Sequence, residues 1–331
     1  FSLKFTLTIN RMGLDGYNLD QTMWANDLRH INPALETDAN LGNTTYATTQ
    51  IVGSLLEGYI KNGKTPGDVI EMMKKVNGNT PNAKFVFDED VVATWGNGWT
   101  VSADGSTLLK GLVVAAIVDP TYGTIQLKES NNGASNSVPT TAAKLLVGET
   151  APVKIVADWC GITDEMEKRN VKFLTPLAFS SNEAQVELYD ITAGGSSEAT
   201  IAGKLQIKEV YTTNKRVVWD NKTTNSETKP ALVAWYKVST PVYDVANAKT
   251  NISLNGSIGT DCTTKLSDLK NSNGTQKYTV AVDPATSKVT FHNMSGNAIG
   301  QSFKIEIPVT VTTKWQDGMT AKIVVTVKPS I

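Results

Sequence analysis

The 331-residue sequence has little of the side-chain chemistry from which enzymes are built. It holds two histidines, His30 and His292, and two cysteines, Cys160 and Cys262, each pair widely separated along the chain. A Ser–His–Asp arrangement needs a histidine beside an activated serine, and no nucleophile-elbow sequence accompanies either one. Both histidines read as surface or turn residues. The chain also lacks a Gly-rich phosphate loop, a His-Glu-x-x-His and a cysteine pair at zinc spacing. The two cysteines read as free, buried thiols. There is no excess of charge: the formal net charge is −1. A groove that tracks phosphates needs clustered Lys and Arg, so nucleic acid is excluded as a partner. No apolar run approaches the roughly 18 residues of a membrane-spanning helix. These absences leave no catalytic residue, no cofactor and no metal to assign.

What is present is strand and turn chemistry. Hydrophobic residues make up 40% of the chain and charged residues only 19%, enough to bury a sizeable core. Between short apolar runs lie clusters such as Asn131-Asn132-Gly133, Thr223-Thr224-Asn225-Ser226 and Asn271-Ser272-Asn273-Gly274. Gly reaches positive φ at no steric cost, while Asn and Ser bond their own backbone, so each cluster marks a turn. Turns recurring at this spacing indicate an all-β protein, and the length suits two sandwiches better than one.

An internal repetition supports that division. Val118-Asp119-Pro120 followed by Ile125-Gln126-Leu127 matches Val282-Asp283-Pro284 followed by Val289-Thr290-Phe291. A segment ending in Trp159 and leading to Val171–Pro176 matches one ending in Trp315 and leading to Val324–Pro329. Lys4-Phe5 and Lys172-Phe173 open similar segments. All three matches fall roughly 160 residues apart and in the same order, as a duplicated unit requires. The expected domains are residues 1–172 and 173–331, two tandem Ig-like β-sandwiches. The alternation of Phe1, Leu3, Phe5, Leu7 and Ile9 puts a strand at the first residue, with neither Met nor signal peptide before it. From this the chain is expected to be processed or excised from a longer one.

Period-two alternation is clearest near the C-terminus. Phe303, Ile305, Ile307, Val309 and Val311 share one face, and Ile323, Val325 and Val327 return after Gln316-Asp317-Gly318, a hairpin signal. Pro308 cannot donate to a ladder, which predicts an edge strand or a bulge there. The first domain is expected to carry a small helical insertion near 48–77. Thr65-Pro66-Gly67-Asp68 would start one helix and Asn77-Gly78 would stop it, with residues 48–62 as a second.

Four features are candidate sites. Asp88-Glu89-Asp90 is the densest acidic cluster; on a strand Asp88 and Asp90 would share a face and reach one cation, although a solvated turn is the expectation. Asp164, Glu165 and Glu167 form a second cluster. Trp95-Gly96-Asn97-Gly98-Trp99 suggests a hairpin with a ring at each end. The rings would serve as cross-strand packing or, exposed, as a platform for a sugar. Trp159 and Trp315 read as core. Glycosylation sequons at Asn43, Asn221, Asn251, Asn255, Asn273 and Asn293 mark expected exposed loops.

The segments Lys172-Phe173-Leu174-Thr175-Pro176, Ile307–Trp315 and Val325-Thr326-Val327-Lys328 resemble tandem-repeat surface proteins of gut Bacteroidota. Those proteins chain Ig-like modules on the cell exterior in surface layers, fimbria-like assemblies and adhesins. The resemblance implies an extracellular or cell-surface location and no functional residue. The expectation is a non-catalytic structural or adhesive protein that associates with copies of itself or with other surface proteins. The rivals are a glycan-binding module using Trp95 and Trp99, a pilus or phage structural component, and an enzyme with unrecognised carboxylates.

Overall fold

The computed structural model describes residues 21–24, 49–50, 83–120, 124–130, 138–159, 162–189, 191–210 and 216–329. The chain divides into two compact units between Leu174 and Thr175.

In the first unit the strands are β1 (Gln21–Trp24), β2 (Thr49–Gln50), β3 (Ala83–Phe87), β4 (Trp99–Val101), β5 (Thr107–Lys110), β6 (Val113–Val118), β7 (Thr124–Leu127), β8 (Thr150–Trp159) and β9 (Ile162–Leu174). Two short helices, α1 (Glu89–Thr94) and α2 (Thr141–Leu145), join them. Thr140 caps α2 by accepting a hydrogen bond from the Ala143 amide at 3.1 Å. One sheet runs β1-β9-β8-β3 and the other β2-β7-β6-β5-β4. Alternate residues of both are buried: Phe85, Phe87, Val153, Val171 and Phe173 on the first, Leu108, Ala116, Val118, Ile125 and Leu127 on the second.

The second unit holds β10 (Leu177–Phe179), β11 (Glu183–Leu188), β12 (Ser196–Thr200), β13 (Gln206–Glu209), β14 (Val217–Asp220), helix α3 (Pro230–Tyr236), β15 (Val242–Tyr243), β16 (Lys249–Thr250), β17 (Thr264–Lys265), β18 (Tyr278–Asp283), β19 (Lys288–Asn293), β20 (Phe303–Val311) and β21 (Met319–Val327). The main sheet is β11-β21-β20-β16-β17, with β15 also on β20. It faces β12-β19-β18 across a core in which Tyr278, Phe291 and Phe303 meet at ring-centroid distances of 5.1 to 6.0 Å. A third, three-stranded sheet is β10-β13-β14. Every inward residue expected on β20 and β21 is buried.

The same pairing scheme recurs in both units. An early strand lies parallel to the last strand (β1 on β9, β11 on β21), and that last strand closes an antiparallel hairpin (β8–β9, β20–β21). On the opposite sheet a hairpin (β6–β7, β18–β19) pairs with an earlier strand (β2, β12). This arrangement of Greek-key strands in two facing sheets is Ig-like. The fold is all-β.

Four local expectations need correction or fall elsewhere. Pro308 lies on neither an edge nor a bulge: it sits within β20, paired opposite Lys322 of β21. On its other side β20 changes partner, from β16 at Ile305 and Glu306 to β15 at Val309 and Thr310. The Pro308 carbonyl accepts from the Asp244 amide at 2.9 Å on that side, so its missing N–H falls in the break between two short strands. Thr49–Gln50 pairs with β7 as strand where a helix was expected to begin; the rest of the helical insertion lies outside the described residues. The strand at Phe1 lies outside them as well. The Gln316-Asp317-Gly318 signal does mark a β-hairpin, but the connection spans residues 312–318 and folds Trp315 down to 2% exposure.

Candidate functional site

Strand register places three charged groups together in the first unit. Val86 of β3 pairs with Lys154 of β8, and Lys154 pairs with Lys168 of β9, so the two lysines stand side by side on one sheet face. Asp88, two residues beyond Val86, shares that face and lies diagonally from Lys154. Its amide is tied to the Pro152 carbonyl at 3.1 Å, and its own carbonyl accepts from Val92 in α1. The Asp88 carboxylate is 1% exposed and stands 3.5 Å from Lys154 Nζ and 3.4 Å from Lys168 Nζ. Lys154 Nζ is also 3.5 Å from Asp90, which is exposed on α1. The expected solvated turn is therefore wrong for Asp88: the chain turns into a helix there, buries this carboxylate and supplies lysines where a cation was considered. Among the described residues no group of three His, Cys, Asp or Glu side chains is placed to hold a metal. The Asp164, Glu165 and Glu167 side chains, Trp159's ring, His30 and Cys160 lie outside the described residues.

Trp95 and Trp99 do come together, edge to face at 5.5 Å between centroids and 89° between planes. They do not flank a hairpin. Trp95 caps the C-terminus of α1, and Gly96, Asn97 and Gly98 all take positive φ, ending the helix and reversing the chain into β4. The hairpin of β4 lies at its other end, where Asp104 accepts from Ser102 Oγ at 2.5 Å and Ser106 N at 3.0 Å. The Ser102 hydroxyl, followed by Ser106, holds the Asp104 carboxyl down at about 2. Both Trp rings are half-buried, Lys110 Nζ lies 5.3 Å from the Trp99 centroid, and Leu112 in the adjoining turn is 98% exposed. Rings at a right angle offer a stacked ligand one face at a time.

The sequons divide sharply. Asn221, Asn251 and Asn293 are buried, and their amides hold loops: Asn293 Nδ2 donates to the Thr192 and Asn297 carbonyls, and Asn221 Nδ2 to the Ile201 carbonyl. Asn251 donates to the Gly259 carbonyl and accepts from the Lys304 amide. Only Asn255 and Asn273 meet the expectation of an exposed loop; Asn43 lies outside the described residues. Cys262 is a free, half-buried thiol pushed up to about 11, first by burial and then by Glu306. His292 projects from β19 into solvent.

Pattern reading missed a cleft of about 340 Å³ at one end of the second unit, lined by Ile252, Leu254, Ile258, Tyr278, Ile299 and Phe303 among others. It opens at the Tyr278 end of β18, one of the two edge strands of its sheet. Leu254 is 72% exposed at this cleft and Met294, whose amide bonds the Lys277 carbonyl, is 44% exposed. The exposed apolar positions sit in Asn/Ser/Gly loops, where sequence patterning has no period to follow.

No family model and no curated protein matches the chain. Similar solved structures include the human desmocollin-1 ectodomain (10% identity, TM-score 0.21) and Drosophila N-cadherin EC1-4 (11%, 0.21). Each alignment covers 76% of this chain, and 35% and 43% of those chains respectively. A PapD-like domain of human CEP192 aligns with 47% of this chain and 85% of its own at 8% identity and a TM-score of 0.22. The chain thus spans less than half the length of the two cadherin ectodomains. Its fold rests on its own strand pairing. No helix among the described residues is long and apolar enough to cross a membrane.

Proposed function

We propose that this protein is a non-catalytic structural or adhesive component of an extracellular or cell-surface assembly, of the kind found in gut Bacteroidota, built from a duplicated Ig-like unit. It associates with copies of itself or with other surface proteins by strand addition at an open sheet edge. The observation that supports this reading is the edge strand β18. Its sequence, Tyr-Thr-Val-Ala-Val-Asp, carries no proline, lysine or inward charge, the usual protections of an edge. The cleft at its Tyr278 end, with a mixed polar and apolar lining, would receive side chains of an added strand. A pilus or phage component would use the same contact.

Sedimentation velocity across a concentration series, with electron microscopy of the concentrated sample, tests it. Concentration-dependent association that Val280→Pro, at a position whose amide faces away from β19, removes while the chain still unfolds cooperatively is the expected result. Monomers alone at high concentration would sink the proposal. A second reading, glycan binding, is favoured by the part-exposed Trp95 and Trp99 rings. Glycan-array binding that the Trp95→Ala, Trp99→Ala double variant abolishes would establish it, and an array without signal would remove it.

A further inference from the structure

The Asp88 cluster is an odd ion pair. A buried carboxylate ordinarily collects short, aligned hydrogen bonds that offset its lost hydration. Asp88 Oδ1 is buried and accepts none. Its cation, Lys154, has a side chain only 9% exposed, yet stops at 3.5 Å. That separation is poor for a salt bridge and leaves a buried amine nitrogen beside a carboxyl group with no short hydrogen bond between them. Both backbones are fixed: Asp88 is bonded to Pro152, two residues before Lys154, and Lys154 pairs with Val86, two residues before Asp88.

From these positions we infer that Lys154 and Asp88 condense to an intramolecular isopeptide bond that ties β8 to the β3–α1 junction. Each group around the pair has a role. Proton transfer from Lys154 to Asp88 gives the amine and carboxylic acid from which the bond forms. The Nζ lone pair attacks Cγ. Negative charge gathers on Oδ2, which faces the Lys168 ammonium at 3.4 Å. The Asp90 carboxylate, 3.5 Å from Nζ, takes a proton from the nitrogen and returns it to the departing Oδ1 hydroxyl, which leaves as water. One C–N bond forms, one C–O bond breaks, and nothing is oxidised or reduced. Asp90 and Lys168 are accessible on the outer side of the pair, with side chains 75% and 57% exposed, so water can escape there. The inference is independent of how the protein associates.

The test is the intact mass of the purified full-length chain under denaturing conditions. The expected value is one water below the sum of the residues, with a tryptic species joining the peptides that contain Asp88 and Lys154. Lys154→Arg should restore the full mass, and Asp88→Asn should lose ammonia in place of water. A wild-type chain of full mass overturns the inference, whether or not any variant folds. So does a water loss that persists in Lys154→Arg, because it would arise elsewhere, as a succinimide at an Asp-Gly step.

Discussion

Two buried carboxylates, one in each unit, meet their cations differently. Glu209 on β13 is fully buried and satisfied by short bonds: Arg216 Nε at 2.5 Å, Arg216 Nη2 at 3.0 Å and the Tyr236 hydroxyl at 2.8 Å. The Arg216 carbonyl also accepts from the Glu209 amide, so the fork and its target are registered by backbone. Asp88 has two lysines at longer range and an oxygen that accepts no hydrogen bond. A planar guanidinium meets a carboxylate in two parallel bonds and stays put, whereas an ammonium is a point charge that can give up its proton. Glu209 is thereby a fixed structural pair, and Asp88 a loosely bonded one. Burial alone did not separate them; bond geometry did.

The largest effect should come from breaking the fixed pair. Arg216→Met leaves the Glu209 carboxylate buried without its guanidinium partner. Removing one partner of a buried pair costs about 3–5 kcal/mol. Denaturant unfolding should show that loss, and Glu209→Gln, which removes the charge itself, should cost less. At the other site the charge of Lys168 itself should contribute about 1 kcal/mol or less, because that lysine is largely solvated, so Lys168→Met in the folded chain should cost little. Equal losses at both sites would erase the distinction.

The contrast also marks how far the sequence could be read. The strands of the second unit were legible because Phe303 to Val311 and Ile323 to Val327 alternate without interruption and one face is dry. The Val118-Asp119-Pro120 and Val282-Asp283-Pro284 matches proved to be hairpins of similar pairing. Asp88 was misplaced because three consecutive acidic residues look solvated, and only the register of β3, β8 and β9 shows that the first of them faces two lysines. Trp95 and Trp99 were drawn together correctly but for the wrong reason: Gly-Asn-Gly reads equally as a hairpin turn or as a left-handed helix stop. The buried sequon asparagines show the same limit, since a turn-forming residue can hold its loop from inside.

Backbone glycines give an intermediate test of the two units. Gly105, in the first, has φ +79°, and a Cβ there would lie 2.6 Å from the Val86 Cβ, next to the Lys154 row. Gly105→Ala should cost roughly 1–3 kcal/mol of strain plus whatever Val86 must give. Gly274, in the second, has φ +84° in open space, so Gly274→Ala should cost only about 1 kcal/mol. Thermal melts of the two variants check the order. If Gly105→Ala also shifts the mass of the chain upward by one water, the packing of Val86 is what holds Asp88 against Lys154.

The smallest effect belongs to the outward ion ladder of the second unit. Lys322 sits between Glu306 at 2.7 Å and Glu183 at 2.9 Å, and Lys328 reaches Glu187 at 2.7 Å. Its bonds to Glu306, then to Glu183, push the Lys322 ammonium up to about 12 from its ordinary 10.5. That contribution is complete below about 10.5 and is lost as pH rises through about 12. Glu183 moves the other way: its bond to Lys322, then to Gln185, holds it below its ordinary 4.5. Its contribution is present above 4.5 and is lost as pH falls through the depressed value. The melting temperature of the second unit should therefore carry a plateau bounded on both sides by this one lysine. Lys322→Met should remove this small contribution from the centre and so flatten both shoulders. Added salt should do the same to the wild type, because the ladder is exposed and screened. The Arg216–Glu209 pair should ignore that salt, and a pair as salt-sensitive as Lys322's would show that water reaches it.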